Sequence, residues 1–156
     1  MLDWLKGLFR VPKPAGPPQT IRAFRPSDPT IARDIVTAEG DALRIDVREK
    51  QTVRLYEVTD PGIEACLVTY RARIRSESLA GRAYLEMWCR FPGQGEFFSK
   101  GFAHSVKGTT DWASYETPFF LKKGQRPDLI KLNVVVEGTG RLWMKEIELL
   151  QTPLAF

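Results

Sequence analysis

The residues able to do covalent chemistry are few and widely spaced. The 156-residue chain has one histidine, His104, and two cysteines, Cys66 and Cys89. A single imidazole cannot build the multi-histidine centres of most metal hydrolases, and it leaves His104 as the one candidate base for a serine or cysteine nucleophile. A reactive thiolate needs exposure and a base beside it. Both cysteines instead fall on the apolar side of alternating segments, which predicts buried free thiols. Glu146 and Glu148 stand at alternate positions of one segment, a spacing that a glycosidase pair shares with an ordinary exposed acidic strand face. No phosphate-cradling glycine loop occurs. No catalytic residue, metal-ligand set or cofactor is therefore assigned, and binding chemistry is left.

That chemistry gathers on alternating segments. Within residues 82–91, Tyr84, Glu86, Trp88 and Arg90 share one side, opposite Ala83, Leu85, Met87, Cys89 and Phe91. An aromatic ring beside carboxylate and guanidinium groups suits a sugar: the ring covers the C–H face and the polar groups bond the hydroxyls. Arg71 and Arg73 join the set if residues 76–81 turn the chain back as a hairpin. Asn133 adds an amide from the polar side of another segment, next to Lys131 and Glu137. The expected ligand site is thus Trp88 and Tyr84 as platform, with Glu86, Arg90, Arg73, Arg71 and Asn133 around them. The competing reading packs Trp88 under a loop and leaves the charges as a solvated face. Arg71, Arg73, Arg75, Arg82 and Arg90 also spell a basic stripe suited to phosphates or an anionic polysaccharide, partly neutralised by Glu86.

These side chains must be positioned by strands. Residues 64–75 alternate Cys66, Val68, Tyr70, Ala72 and Ile74 against Leu67, Thr69, Arg71, Arg73 and Arg75, the period of a strand with one buried face. Similar runs occupy residues 42–47, 52–58, 96–100, 112–121, 129–137 and 141–150, divided by turns such as Asp60-Pro61-Gly62 and Gly138-Thr139-Gly140. If the hairpin forms, Cys66 and Cys89 are diagonal neighbours, a placement that suits two thiols better than a disulfide. The predicted fold class is all-β: an antiparallel β-sandwich or barrel over residues 20–153. Ahead of it, residues 1–19 read as a short amphipathic helix and a Pro-rich linker. Leu2, Trp4, Leu5, Leu8 and Phe9 share one arc of that helix, which is too short to persist in water undocked. Three dockings stay open: weak membrane-surface association, a partner protein or second copy, and the chain's own sandwich.

Charge and hydropathy set the outer limits. Lys plus Arg number 23 against 19 Asp plus Glu, a net charge of +4, which is less concentrated than nucleic-acid binding usually demands. No apolar run reaches a membrane span. The first residues lack a basic lead, a continuous apolar stretch and a small-residue cleavage site, so a cytoplasmic location, with membrane association as an option, is expected.

Two segments carry a resemblance. Gly108-Thr-Thr-Asp-Trp-Ala-Ser-Tyr-Glu-Thr-Pro-Phe119 and Leu132-Asn-Val-Val-Val-Glu-Gly-Thr-Gly-Arg-Leu-Trp-Met-Lys-Glu-Ile-Glu-Leu149 resemble the galactose-binding-domain-like jelly rolls, especially carbohydrate-binding modules of the family 4/9 type. The resemblance covers roughly residues 64–150 and implies a jelly roll, with the second segment as its closing hairpin. It also implies structural, core or corner roles for Trp112, Tyr115 and Trp143. Relatives often hold a structural calcium through an acidic pair on the closing strand. Here Lys145 replaces one member of that pair, which argues against the ion, while Glu146 and Glu148 remain. The implied function is a non-catalytic carbohydrate-binding module. Its rival is a protein-interaction or scaffolding module on the same fold, tethered through residues 1–10.

Overall fold

A computed structural model describes residues 12–155. The helix expected over residues 1–10, and with it Leu2, Trp4, Leu5, Leu8 and Phe9, lies outside that range. Nine strands follow in order: β1 (Gln19–Phe24), β2 (Val36–Glu39), β3 (Ala42–Val47), β4 (Gln51–Thr59), β5 (Cys66–Phe91), β6 (Gly95–Lys100), β7 (Val106–Phe120), β8 (Leu129–Val136) and β9 (Gly140–Pro153). A single 3-10 turn, Phe102–His104, is the only helical element among the described residues.

The strands form the two antiparallel layers of a jelly roll, and β5 belongs to both. Its first half pairs with β9 on one side and β7 on the other; its second half pairs with β8 and β6. One layer therefore runs β2-β3-β9-β5-β7, with β1 alongside the later part of β9, and the other runs β4-β8-β5-β6. Alternation holds through both halves of β5, so Val68, Tyr70, Ala72 and Ile74, then Ala83, Leu85, Met87 and Cys89, all face the core between the layers. Leu55, Ile130, Leu132, Leu142, Met144 and Leu149 fill it from the other strands.

Residues 76–81 are therefore a corner where one strand changes layers, and the hairpin expected there does not form. Ser78 takes φ 50° and Gly81 φ 76° at the bend. Ser76 Oγ, 2.9 Å from both the Gly108 carbonyl and Thr110 Oγ1, ties the bend to β7. The closing hairpin implied by the resemblance is likewise absent. β8 and β9 lie in different layers, and Gly138–Gly140 carries the chain from one to the other. The two crossings pack backbone on backbone: Ala80 N–H donates to the Thr139 carbonyl at 2.7 Å and Glu137 N–H to the Arg82 carbonyl at 2.8 Å. The Pro-rich stretch is not wholly a free spacer either. Ala15 N–H donates to the Pro153 carbonyl (2.7 Å) and Ala155 N–H to the Lys13 carbonyl (2.9 Å), joining it to the end of β9.

Because β5 does not fold back, Cys66 and Cys89 meet the core from opposite layers and are not hairpin neighbours. Both are free and buried. Burial raises the Cys66 thiol to about 11 and that of Cys89, with a contribution from Cys66, to about 12. A thiol reagent at pH 8 is expected to label neither cysteine in the native protein and both after denaturation. Labelling of the native chain at the rate of a free thiol would contradict this burial.

The Tyr70 hydroxyl is buried without a hydrogen-bond partner. An unsatisfied buried hydroxyl costs about 1–3 kcal/mol of desolvation, whereas the ring itself contributes core packing. Tyr70→Phe is thus expected to stabilise the fold by about 1 kcal/mol, seen as a higher denaturation midpoint in urea. A lower midpoint would mean that the hydroxyl has a bound partner.

Candidate functional site

The second half of β5 carries Tyr84, Glu86, Trp88 and Arg90 to the outer face of the β4-β8-β5-β6 layer, as the alternation requires. Register supplies their neighbours. Glu86 pairs with Asn133 of β8 and Lys100 of β6; Trp88 pairs with Lys131 and Phe98; Arg54 of β4 lies beyond Asn133. The outer face therefore has a polar row, Arg54–Asn133–Glu86–Lys100, beside a row ending in Trp88 and Phe98. Between them is an open depression of about 330 Å³ lined by Thr52, Arg54, Glu86, Trp88, Glu96, Lys131 and Asn133.

Hydrogen bonds fix its floor. Asn133 Nδ2 donates to Glu86 Oε1 at 2.9 Å, and Lys100 Nζ lies 3.6 Å from Glu86 Oε2. Glu86 is 5% exposed, and these partners offset the hydration a side chain so placed gives up. Lys131 Nζ sits 2.7 Å from Glu96 and Arg54 is 2.8 Å from Glu57. Trp88 is half-buried, its ring tilted against Phe98 at a centroid distance of 5.3 Å. The side chains that bond one another still have acceptor and donor capacity left, which is what a hydroxyl-rich ligand needs.

The remaining expected site residues are distributed differently. Tyr84 is 4% exposed. Phe102 (4.7 Å between centroids) and the Arg82 guanidinium (5.2 Å) flank its ring, and its hydroxyl donates to Glu137 at 3.3 Å. Burial, then the Glu137 charge, raises its hydroxyl above the ordinary tyrosine value. Tyr84 supports the wall rather than offering a platform. Arg90 reaches away from the depression to grip Asp128 with two bonds, at 2.9 and 3.2 Å, and holds that carboxyl below its usual range. Arg71 and Arg73 are not in this site. The layer change puts them on the outer face of the other layer, where Arg71 pairs with Glu148 (3.0 Å) and Arg73 with Glu146 (3.5 Å).

That other face explains two aromatics placed in the core or at a corner by the resemblance. Trp143 and Trp112 both lie outside: the Arg75 guanidinium stacks 3.6 Å from the Trp143 ring, and Lys145 Nζ lies 4.3 Å from that of Trp112. Trp143 is covered by Arg75 and Arg141 rather than by the core. Tyr115 does face the core. Lys145, Glu146 and Glu148 are engaged in ion pairs with Asp41, Arg73 and Arg71. Among the described residues no three Asp, Glu, His or Cys side chains converge on a point where an ion could sit.

Sequence reasoning missed Phe98, Lys100, Glu96 and Arg54. The tight Pro92-Gly93-Gln94 turn was the available signal. It fixes a hairpin, and counting back from it places Phe98 opposite Trp88 and Lys100 opposite Glu86.

No family model matches this sequence, and no curated protein matches it. Solved structures do. The CBM22-1 xylan-binding domain from Paenibacillus barcinonensis Xyn10C matches at 14% identity and a TM-score of 0.58, over 88% of this chain and 97% of that one. CBM29_1, a family 29 carbohydrate-binding module from Piromyces equi, matches at 11% identity and 0.51, over 87% and 90%. The CBM22-1–GH10 modules of Clostridium thermocellum xylanase 10B, complexed with xylohexaose, match at 8% and 0.51, over 87% of this chain and 24% of that longer one. The chain is thus a jelly roll similar in fold to carbohydrate-binding modules.

Proposed function

We propose that the chain is a non-catalytic glycan-binding module whose site is the outer face of the β4-β8-β5-β6 layer. The observation that carries this reading is the half-buried Trp88 at the rim of a depression floored by the Glu86–Asn133 pair. Trp88, backed by Phe98, covers a pyranose C–H face. Asn133, Glu86, Lys131 and Arg54 exchange hydrogen bonds with its hydroxyls. Cations and carboxylates alternate across the face, so the ligand class it fits is a neutral glycan rather than a polyanion. The likeness in fold to a xylan-binding domain supports the same reading and does not choose the sugar.

The test is affinity electrophoresis in gels containing soluble plant and bacterial polysaccharides, comparing the wild type with Trp88→Ala and with Arg71→Ala/Arg73→Ala. Retardation by at least one neutral polysaccharide, abolished by Trp88→Ala and kept by the arginine variant, is the expected result. Retardation that survives Trp88→Ala overturns the site.

A further inference from the structure

Open sheet edges are normally blunted, because their unpaired backbone groups template pairing with another chain. Of the other edges, β1 pairs with β9 alone but exposes no large apolar side chain, and the rest are managed. β2 has four residues. β4 is covered where Ile31 and Ala32 donate to the Leu55 and Arg54 carbonyls at 3.0 and 2.8 Å. β7 carries Pro118 and pairs with β5 through three register shifts. β6 has six residues, pairs with β5 alone, and exposes Phe97 (49%) and Phe98 (52%) on its two faces.

The phase of the β5–β6 ladder determines what the open edge offers. Gly101 N–H donates to the Leu85 carbonyl at 2.9 Å. Bonded pairs alternate in an antiparallel ladder. Ser99 and Phe97 therefore bond Met87 and Cys89, and the N–H and C=O groups of Glu96, Phe98 and Lys100 point to the open side. These three residues are self-complementary. In an antiparallel pairing of two copies centred on Phe98, Phe98 meets Phe98 and each Glu96 meets Lys100 of the other copy. All three then occupy hydrogen-bonded positions with their side chains on the same outer face. A slip of two residues either way sets Phe98 against Glu96 or Lys100 and loses the match.

Charges already in place extend the pattern. Within one copy Lys131 pairs with Glu96 (2.7 Å) and Lys100 with Glu86 (3.6 Å). Across the axis the order becomes Lys131, Glu96, Lys100 of the second copy, Glu86 of the second copy, alternating in sign throughout. We propose that two copies of this chain pair along β6 about a two-fold axis at Phe98. Their four-stranded layers join into one sheet, with a Trp88 platform on either side of the axis. The contact stands apart from the glycan reading, since mass and sugar binding are measured separately.

Sedimentation equilibrium of the full chain over about 1 to 100 µM tests it. The expected result is a monomer–dimer equilibrium. Glu96→Lys or Lys100→Glu alone sets like charges opposite each other and weakens the dimer about tenfold or more. Mixing the two single variants restores it, because positions 96 and 100 of one copy, both lysine, then meet positions 100 and 96 of the other, both glutamate, while the contacts within each copy stay the same. A covalent readout guards against a variant that merely misfolds. Cα atoms of a hydrogen-bonded pair stand about 5.5 Å apart, within disulfide range, so Phe98→Cys cross-links under mild oxidation. Phe97→Cys, which faces Ser99 of the other copy, does not. A wild type that stays monomeric, a dimer indifferent to the single charge reversals, or equal cross-linking of both cysteine variants overturns the proposal.

Discussion

Gly138→Ala is expected to lower the free energy of unfolding by about 3 kcal/mol or more. A methyl group at position 138 would overlap the Ala80 carbonyl oxygen and lie 2.5 Å from the Ala80 carbonyl carbon. Both obstacles are backbone, so no rotamer change relieves them. The backbone is also held from the other side, because Ala80 N–H donates to the Thr139 carbonyl. Accommodation therefore requires parting the two segments that cross between layers, and the core is continuous beneath them. For a chain of this size the loss corresponds to a fall in melting temperature of about 6–12 °C. Gly40→Ala is the control. Gly40 has φ +61° but nothing within 4 Å of its added methyl, so the expected cost is the conformational penalty alone, about 1–2 kcal/mol. Thermal or urea unfolding of the two variants checks the difference. Equal losses would show that the crossing is less tightly packed than described.

Trp88→Ala is expected to weaken glycan binding about 10- to 100-fold, the cost of removing one well-packed aromatic anchor. The change should fall on affinity and only weakly on stability, because Trp88 is half-buried on an outer face and the core side of β5 is untouched. Isothermal titration with a retarded polysaccharide fragment, beside a thermal melt, separates the two effects. A loss of binding that merely tracks a large loss of stability would make Trp88 a structural residue. Phe98→Ala should have a smaller effect on each protomer, since Phe98 touches the edge of Trp88 rather than the depression.

Much of the site followed from parity. Trp88, Glu86 and Asn133 were legible as outward-facing because every second residue of their strands is apolar, and burial of Leu85, Met87, Cys89, Leu132 and Val134 leaves them nowhere else to point. Parity alone does not say how buried an outward residue is. Tyr84 has the right parity but is closed off by Arg82 of its own strand and by Phe102, which arrives after β6. Trp143 likewise points outward yet is covered by Arg75, from a strand far away in sequence.

By itself, the sequence determined the all-β class, the inward and outward side of each long strand, the burial of Cys66 and Cys89, and the outward placement of Trp88, Glu86 and Asn133. These depend on a two-residue period, a local property of the chain. Only the tertiary structure decided the assignment of strands to layers. A strand that reverses at residues 76–81 and one that bends across a corner there have the same alternation on both sides. What separates them is long-range: the seat of Leu79 in the core, the pairing of Ser76 with β7, and the close backbone contact of Ala80 and Gly81 with residues 137–139. That choice moved Arg71 and Arg73 to the far face of the molecule and put Phe98 and Lys100 in their place beside Trp88.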